Sequence, residues 1–392
     1  MSDVIRRMDA AVSTRAGVAV LSRILTHGPI ARIEIARSTG LSQAAITKAV
    51  IPLIDGGFVS EIALDRYDAP AGRPVNPLVI SAARAYAVGV KITATEAIGV
   101  VTDLRAMILA TVHRSLTSST VDEVVDTVES VVSELFQKHP VDRNRVAGVG
   151  VTVSGDVNPQ SGVIRHSPLL GWRDVALASL LDTRLALPVF VENDVRALTI
   201  AEHWFGLGVD AASFAIVTIG TGVGCGIFTN GDVVSGAYGV SGEIGHLPLA
   251  AGDLLCTCGR RGCVETVASS QAIVTRIREK TGAEVDIAGA IDLARAGDED
   301  ARAAFAAAGE VIGSALAAMV NLVGPELVVI AGEGVADYDL YGAHIQRTFS
   351  EHAFGAAAQC TLEVRSHSFD DWARGGAAAV IREFVWSGIR NS

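Results

Sequence analysis

The sequence predicts an α/β protein in two parts: a winged helix-turn-helix over residues 1–82 and a larger α/β domain over residues 83–392 carrying a structural zinc site. Three observations lead there. Apolar residues recur at helical spacing from Gly17 to Asp55, interrupted at His27-Gly28-Pro29 and again at Thr39-Gly40-Leu41. From Tyr86 onward, short β-rich runs alternate with helical pattern, which is how largely parallel sheets are assembled. Finally, His246, Cys256, Cys258 and Cys263 fall within eighteen residues.

Length and charge narrow the function. A chain of 392 residues is long enough for two or three domains, each with a sizeable core. Its net charge of −11 would repel nucleic acid as a whole, but residues 1–80 carry nine basic and seven acidic side chains while the remainder carries 23 and 36. Only the N-terminal part suits DNA. The uncharged stretch Ala211 to Phe228 approaches a membrane span in length. Its glycines at 220, 222, 224 and 226 suit a strand and a tight loop instead, so no membrane partner is expected. No signal-peptide pattern opens the chain, so a cytoplasmic, reducing setting is expected, with Cys225 and Cys360 as buried thiols.

The elements follow in order. Residues 1–15 show no clear pattern and are expected to form a mobile arm. Val18, Leu21 and Leu25 mark a first helix; a second runs from about Ala31 to Ser38. Gly40 makes the turn, and Ser42 is a natural N-cap for a third helix to about Asp55, with an apolar face of Ile46, Val50, Leu53 and Ile54. Phe58-Val59 to Ile80 then reads as a two-stranded wing. On the exposed face of the third helix, Ser42, Gln43, Thr47 and Lys48 could contact bases or phosphates of operator DNA. In the wing, Arg73 lies between Gly72 and Pro74 on a stiff extended backbone suited to a narrow minor groove. The competing reading of this region is a generic three-helix packing element.

Beyond residue 83, Tyr86 to Val90, Ala97 to Val101 and Val146 to Val153 read as strands and Val121 to Gln137 as an amphipathic helix. Ser154 to Pro159 makes a polar turn containing Gly155. Val189 to Glu192 is a strand ending at Asn193 and Asp194, either of which could simply cap the helix that follows. Gly220 to Gly224 is a glycine-rich loop, Leu327 to Ile330 a strand leading into Ala331-Gly332-Glu333-Gly334, and Ala301 to Ala308 a closely packed helix. No internal repeat is evident.

One imidazole and three thiols complete a tetrahedral shell around Zn²⁺ with no position left for water, so the site is structural and zinc hydrolysis is excluded. A disulfide reading leaves one of the three clustered cysteines unpaired. Glu243 and Glu265 flank the cluster, either as solvated loop carboxylates or as walls of a polar pocket around His246.

Gly242-Glu243-Ile244-Gly245-His246, followed by the C-x-C-G-x-x-G-C-x-E pattern from Cys256 to Glu265, resembles the signature of the ROK family, named for repressors, open reading frames and kinases. The resemblance implies an actin/hexokinase-like architecture of two α/β lobes, approximately 83–195 plus the C-terminal helix, and 196–377, with sugar bound between them. It implies that Gly155, Asn193, Asp194, Glu243, His246 and Glu265 bind sugar, His246 giving one ring nitrogen to zinc and the other to the ligand. Gly72-Arg73-Pro74 resembles the wing of the family's repressors. Asp194 matches the kinases' general base and Gly220–Gly224 their second phosphate loop. The first phosphate loop departs: kinases carry Asp-x-Gly-Gly-Thr where this chain has Lys91-Ile92-Thr93-Ala94-Thr95. Losing the aspartate and glycines removes a Mg²⁺-side carboxylate and close backbone approach to phosphate. The expectation is therefore a sugar-responsive transcriptional regulator, a repressor without kinase activity, that acts as a homodimer or homotetramer on operator DNA. The alternative is an active ATP-dependent sugar kinase with an appended DNA-binding module.

Overall fold

The computed structural model describes residues 3–62, 76–250, 252–282 and 284–390. The chain forms two compact units, Met1–Val209 with Phe369–Ser392, and Asp210–Ser368.

The first unit opens with helix α1 (Asp3–Ala11), where a mobile arm was expected. Val4, Ile5, Met8 and Ala11 form one buried face, a helical spacing masked in the sequence by the interleaved charges of Asp3, Arg6 and Arg7. Helices α2 (Arg15–His27), α3 (Arg32–Thr39) and α4 (Gln43–Asp55) follow. Thr14 caps α2 by accepting from the Gly17 amide at 3.1 Å, and Ser42 caps α4 by accepting from Ala45 at 3.2 Å. Gly40 ends α3 with a left-handed φ of 69°. On α4, Ile46, Ala49, Val50 and Leu53 are buried, while Ile54 is only half-buried. Strands β1 (Val59–Glu61) and β2 (Leu78–Ile80) pair antiparallel. Glu61 ties this strand pair to α3 by accepting from Arg32 at 2.5 Å, and it also accepts from Asn76, just ahead of β2, at 3.2 Å. Arg73 lies outside the described residues.

The α/β part of this unit contains β3 (Tyr86–Ile92), β4 (Glu96–Asp103), β5 (Ile108–Ser115), α5 (Val121–Lys138), β6 (Val146–Val153), β7 (Asp156–Asn158), β8 (Val163–Ser167), β9 (Trp172–Val175), α6 (Leu177–Leu185), β10 (Val189–Asn193) and α7 (Asp194–Phe205). A five-stranded sheet runs β10-β6-β3-β4-β5, and β7, β8 and β9 form a smaller one. The main sheet is mixed rather than largely parallel. β3, β4 and β5 are consecutive antiparallel strands, because connections as short as 93–95 and 104–107 have no room for a crossover; β6 and β10 add in parallel.

The second unit contains β11 (Phe214–Ile219), β12 (Val223–Thr229), β13 (Asp232–Val233), α8 (Glu265–Ala268), α9 (Ser270–Thr281), α10 (Ile287–Ala296), α11 (Glu299–Val323), β14 (Leu327–Ala331), α12 (Gly342–His352) and β15 (Thr361–Val364). Its sheet order, β13-β12-β11-β14-β15, repeats that of β5-β4-β3-β6-β10, with two antiparallel pairings followed by two parallel ones in each. This topological repeat leaves no recognisable sequence repeat. Helix α11 is long and apolar enough to cross a membrane by length and composition, but Ala301, Phe305, Ala308, Ile312 and Leu316 bury its apolar face in this unit's core.

Helix α13 (Phe369–Arg390) returns to the first unit. A Cβ on Gly89 of β3 would lie 1.9 Å from the Ala373 carbonyl, and one on Gly150 of β6 would lie 2.1 Å from that of Gly376. Only glycine allows α13 to lie so close on the sheet. At its other end, Ser387 donates to Asp9 of α1 at 2.5 Å, and Phe384 meets Phe58 edge-on with centroids 6.1 Å apart. All of α7 and α13 thus belong to the first unit, so its limits fall at Val209 and Phe369 rather than at 195 and 377.

Candidate functional site

The ligand atoms of His246, Cys256, Cys258 and Cys263 all lie within 4.8 Å of one another. His246 closes the short helical turn Ile244–His246, and the loop after it folds back through backbone bonds from Cys256 to Arg260 (2.7 Å) and from Gly259 to Cys256 (2.9 Å). Cys258 Sγ is 3.7 Å from Cys263 Sγ, and Cys256 Sγ is 3.7 Å from His246 Nδ1. Zinc bonds of about 2.3 Å to sulfur and about 2.05 Å to nitrogen give tetrahedral edges of about 3.8 and 3.6 Å. Both separations match those edges, and the sulfurs are far beyond the disulfide length of about 2.05 Å. Burial pushes the Cys263 thiol up to about 12, and the adjacent Cys258 and Cys256 sulfurs push the same way. A divalent cation would reverse that by holding thiolates. The donor set therefore fits zinc.

The two carboxylates stand on different sides of the imidazole. Glu243 Oε2 is 3.9 Å from His246 Nε2, and Glu265 Oε2 is 3.9 Å from Nδ1, both beyond hydrogen-bond length. With Nδ1 facing Cys256, Nε2 is the nitrogen turned away from the sulfurs. Glu265 has a further role that sequence reasoning missed: its Oε1 accepts from the Val223 amide at 2.8 Å, holding the glycine loop where β12 begins. Cys225 is buried, with its thiol pushed up to about 12 by burial and then by the Glu243 charge. Cys360 is only half-buried, contrary to expectation.

In the first unit, Asn193 caps α7 by accepting from Arg196 at 3.1 Å and also donates to the Gly155 carbonyl at 3.0 Å. The cap reading is therefore observed, and the same side chain joins Gly155 to the first turn of α7. Asp194 Oδ1 accepts from Val195 at 2.9 Å, and its other oxygen forms an ion pair with Lys91. This partner was not foreseen, although a lone lysine within the apolar run of β3 signals a buried counter-charge. The turn after Lys91 is closed on itself: Thr93 Oγ1 accepts from the amides of Thr95 at 3.2 Å and Glu96 at 3.0 Å.

In the second unit, Glu333 Oε1 accepts from the Thr221 amide at 2.7 Å and from its hydroxyl at 2.9 Å. On α4, Ser42, Gln43, Thr47 and Lys48 are all exposed; Ser42 caps the helix, and Thr47 Oγ1 donates to the Gln43 carbonyl at 2.9 Å.

A match to the ROK family spans residues 87–383, from β3 almost to the end of α13. The chain belongs to the ROK family. It is 29% identical over 397 aligned positions to the DNA-binding transcriptional dual regulator NagC of Escherichia coli (strain K12), covering 99% of this chain and 95% of that protein. Its ROK fold is similar to the crystal structure of a ROK family transcriptional regulator homologous to the E. coli MLC protein. The TM-score is 0.79 at 28% identity, with 99% of this chain and 98% of that one covered. It is also similar to a ROK family glucokinase from Streptomyces griseus in complex with glucose and AMPPNP. There the TM-score is 0.66 at 26% identity, over 74% of this chain and 98% of that one. ROK regulators and ROK kinases thus both share the fold, and the regulators match it along nearly its whole length.

Proposed function

We propose that this protein is a sugar-responsive transcriptional regulator, most plainly a repressor, in which α2, α3, α4 and the β1–β2 hairpin form a winged helix-turn-helix. The observation that carries the reading is the extent of the similarity to regulators. It covers 99% of the chain and so includes the helical head that precedes the ROK match at residue 87. α4 is the recognition helix, Gln43 and Lys48 its outward contacts, and Ser42 and Thr47 local supports of its first turn. Arg73 is the proposed minor-groove contact.

The effector is a sugar or sugar derivative, and the residues proposed to contact it are Gly155, Asn193, Asp194, Glu243, His246 and Glu265. His246, Cys256, Cys258 and Cys263 hold zinc, which supplies no chemistry beyond fixing His246 so that Nε2 faces ligand. The protein is not a kinase. The Lys91 ammonium neutralises Asp194, which in a kinase would accept the sugar's proton, and Thr93 takes amides of the turn that would otherwise meet phosphate. It works in the cytoplasm, where DNA and reduced thiols coexist. It acts as a homodimer, or a tetramer built from dimers, because one head with little net charge has weak phosphate attraction alone.

The test is selection of genomic DNA fragments by the purified full chain, followed by titration of monosaccharides, amino sugars and their phosphates into the DNA complex. A specific fragment released by one sugar class is expected. Enrichment no better than that of a Gln43→Ala/Lys48→Ala variant defeats the reading.

A further inference from the structure

At the glycine loop between β11 and β12, a carboxylate of the chain itself lies against the backbone. Gly220 donates to the Gly222 carbonyl at 3.1 Å, and Ser270 donates to that of Gly220 at 2.8 Å, so the loop is fixed in shape before anything binds. The Thr221 amide and hydroxyl converge on one oxygen of Glu333, at 2.7 and 2.9 Å. A Cβ on Gly220 would lie 2.1 Å from the Glu333 carboxyl carbon. Glycine there lets the carboxylate lie against the backbone, the same allowance that lets a phosphate approach a glycine-rich loop.

Glu333 is held from behind as well. It follows Gly332, whose φ is 97° and whose added Cβ would lie 2.4 Å from the Ile219 carbonyl, so the segment runs tightly against the end of β11. The Tyr341 hydroxyl donates to the Gly334 carbonyl on the next residue, and Tyr341 stacks on Phe305 with ring centroids 6.1 Å apart. Glu333 is thus delivered to the loop by a braced backbone.

The geometry points to Glu333 as a built-in substitute for phosphate, which fills the anion position of the Gly220–Gly222 loop and excludes phosphoryl ligands by occupancy and like charge. The inference rests on the reading of the chain as a non-kinase and names the residue that keeps its second unit closed to nucleotides and polyphosphates. A second anion arriving at Thr221 would lose the two donors to Glu333 and meet its charge directly, and like-charge juxtaposition is strongly unfavourable. Removing the carboxylate leaves a shaped pair of donors with nothing to accept from them.

Calorimetric titration of the full chain with pyrophosphate and with Mg-ATP tests this. Wild type is expected to bind neither at millimolar concentrations. Glu333→Ala should gain affinity for pyrophosphate by about tenfold or more, and Glu333→Gln, which keeps the reach without the charge, should gain in the same direction. If Glu333→Ala does not fold, as judged by circular dichroism, the glutamine variant alone decides. Unchanged pyrophosphate binding in the folded variants overturns the inference while leaving the non-kinase reading intact. Sugar-dependent ATP turnover by wild type overturns that reading instead.

Discussion

Lys91 and Asp194 form an ion pair inside the first unit, their side chains only 7% and 10% exposed, with the ammonium 5.3 Å from the centroid of the Trp372 ring. β3 supplies the cation, the first turn of α7 the anion, and α13 the aromatic face. In the proposed reading Asp194 stands where ROK kinases place their general base, and the Lys91 ammonium neutralises it there.

Breaking the pair from one side should leave a buried charge unpaired, at a cost of about 3–5 kcal/mol. Lys91→Met and Asp194→Asn are each expected to lower the melting temperature, and the double variant Lys91→Met/Asp194→Leu to melt above either single. A double variant no better than the worse single sinks the claim. Asp194→Asn should also weaken sugar binding in isothermal titration, beyond any effect on folding.

Zinc is expected to matter for sensing before it matters for DNA. In Cys258→Ser, metal content by mass spectrometry should fall and sugar affinity with it, because Nδ1 of His246 loses its anchor and Nε2 its orientation. DNA affinity without sugar should be nearly unchanged. Zinc loss with unaltered sugar affinity would separate the two sites that His246 is proposed to join.

No phosphoryl transfer is expected. With Mg²⁺, saturating ATP and any sugar that binds, ADP release should stay at background, since positioning and charge neutralisation carry this reaction and the proposed reading has both altered in this chain. Turnover in the range of about 1 to 10³ per second would refute it.

On α4, exposed neighbours should behave differently. Lys48→Ala should weaken operator binding on all sequences and reduce the salt slope by about one. Gln43→Ala should relax base preference in the major groove, and Arg73→Ala should act most at A·T-rich minor-groove positions. Ser42→Ala should instead destabilise the helix by about 1 kcal/mol, because its hydroxyl caps the Ala45 amide. Sedimentation should show a dimer; a monomer bound to a half-site at full affinity would contradict the proposed assembly.

Much of the site was legible because its parts are local. The Cys3His cluster spans only His246 to Cys263, and chain closure over so short a loop leaves few ways to arrange four soft donors. Ser42, Gly40 and Asn193 act within three or four residues of themselves, where helix geometry alone sets the partner. The arm at residues 3–11 was misjudged for the opposite reason. Its buried face has no meaning until α13, more than 350 residues later, presents the surface that covers it.

By itself the sequence determined the helical head, the alternating α/β pattern and the clustering of His246, Cys256, Cys258 and Cys263. These follow from residue type, periodicity and short spacing. Only the tertiary structure decided that Lys91 meets Asp194 across 103 residues, that Glu333 lies on Thr221 across 112, and that two sheets share one strand order. Over such separations, local chain geometry sets no partner; the packing of whole strands and helices brings one charge to another.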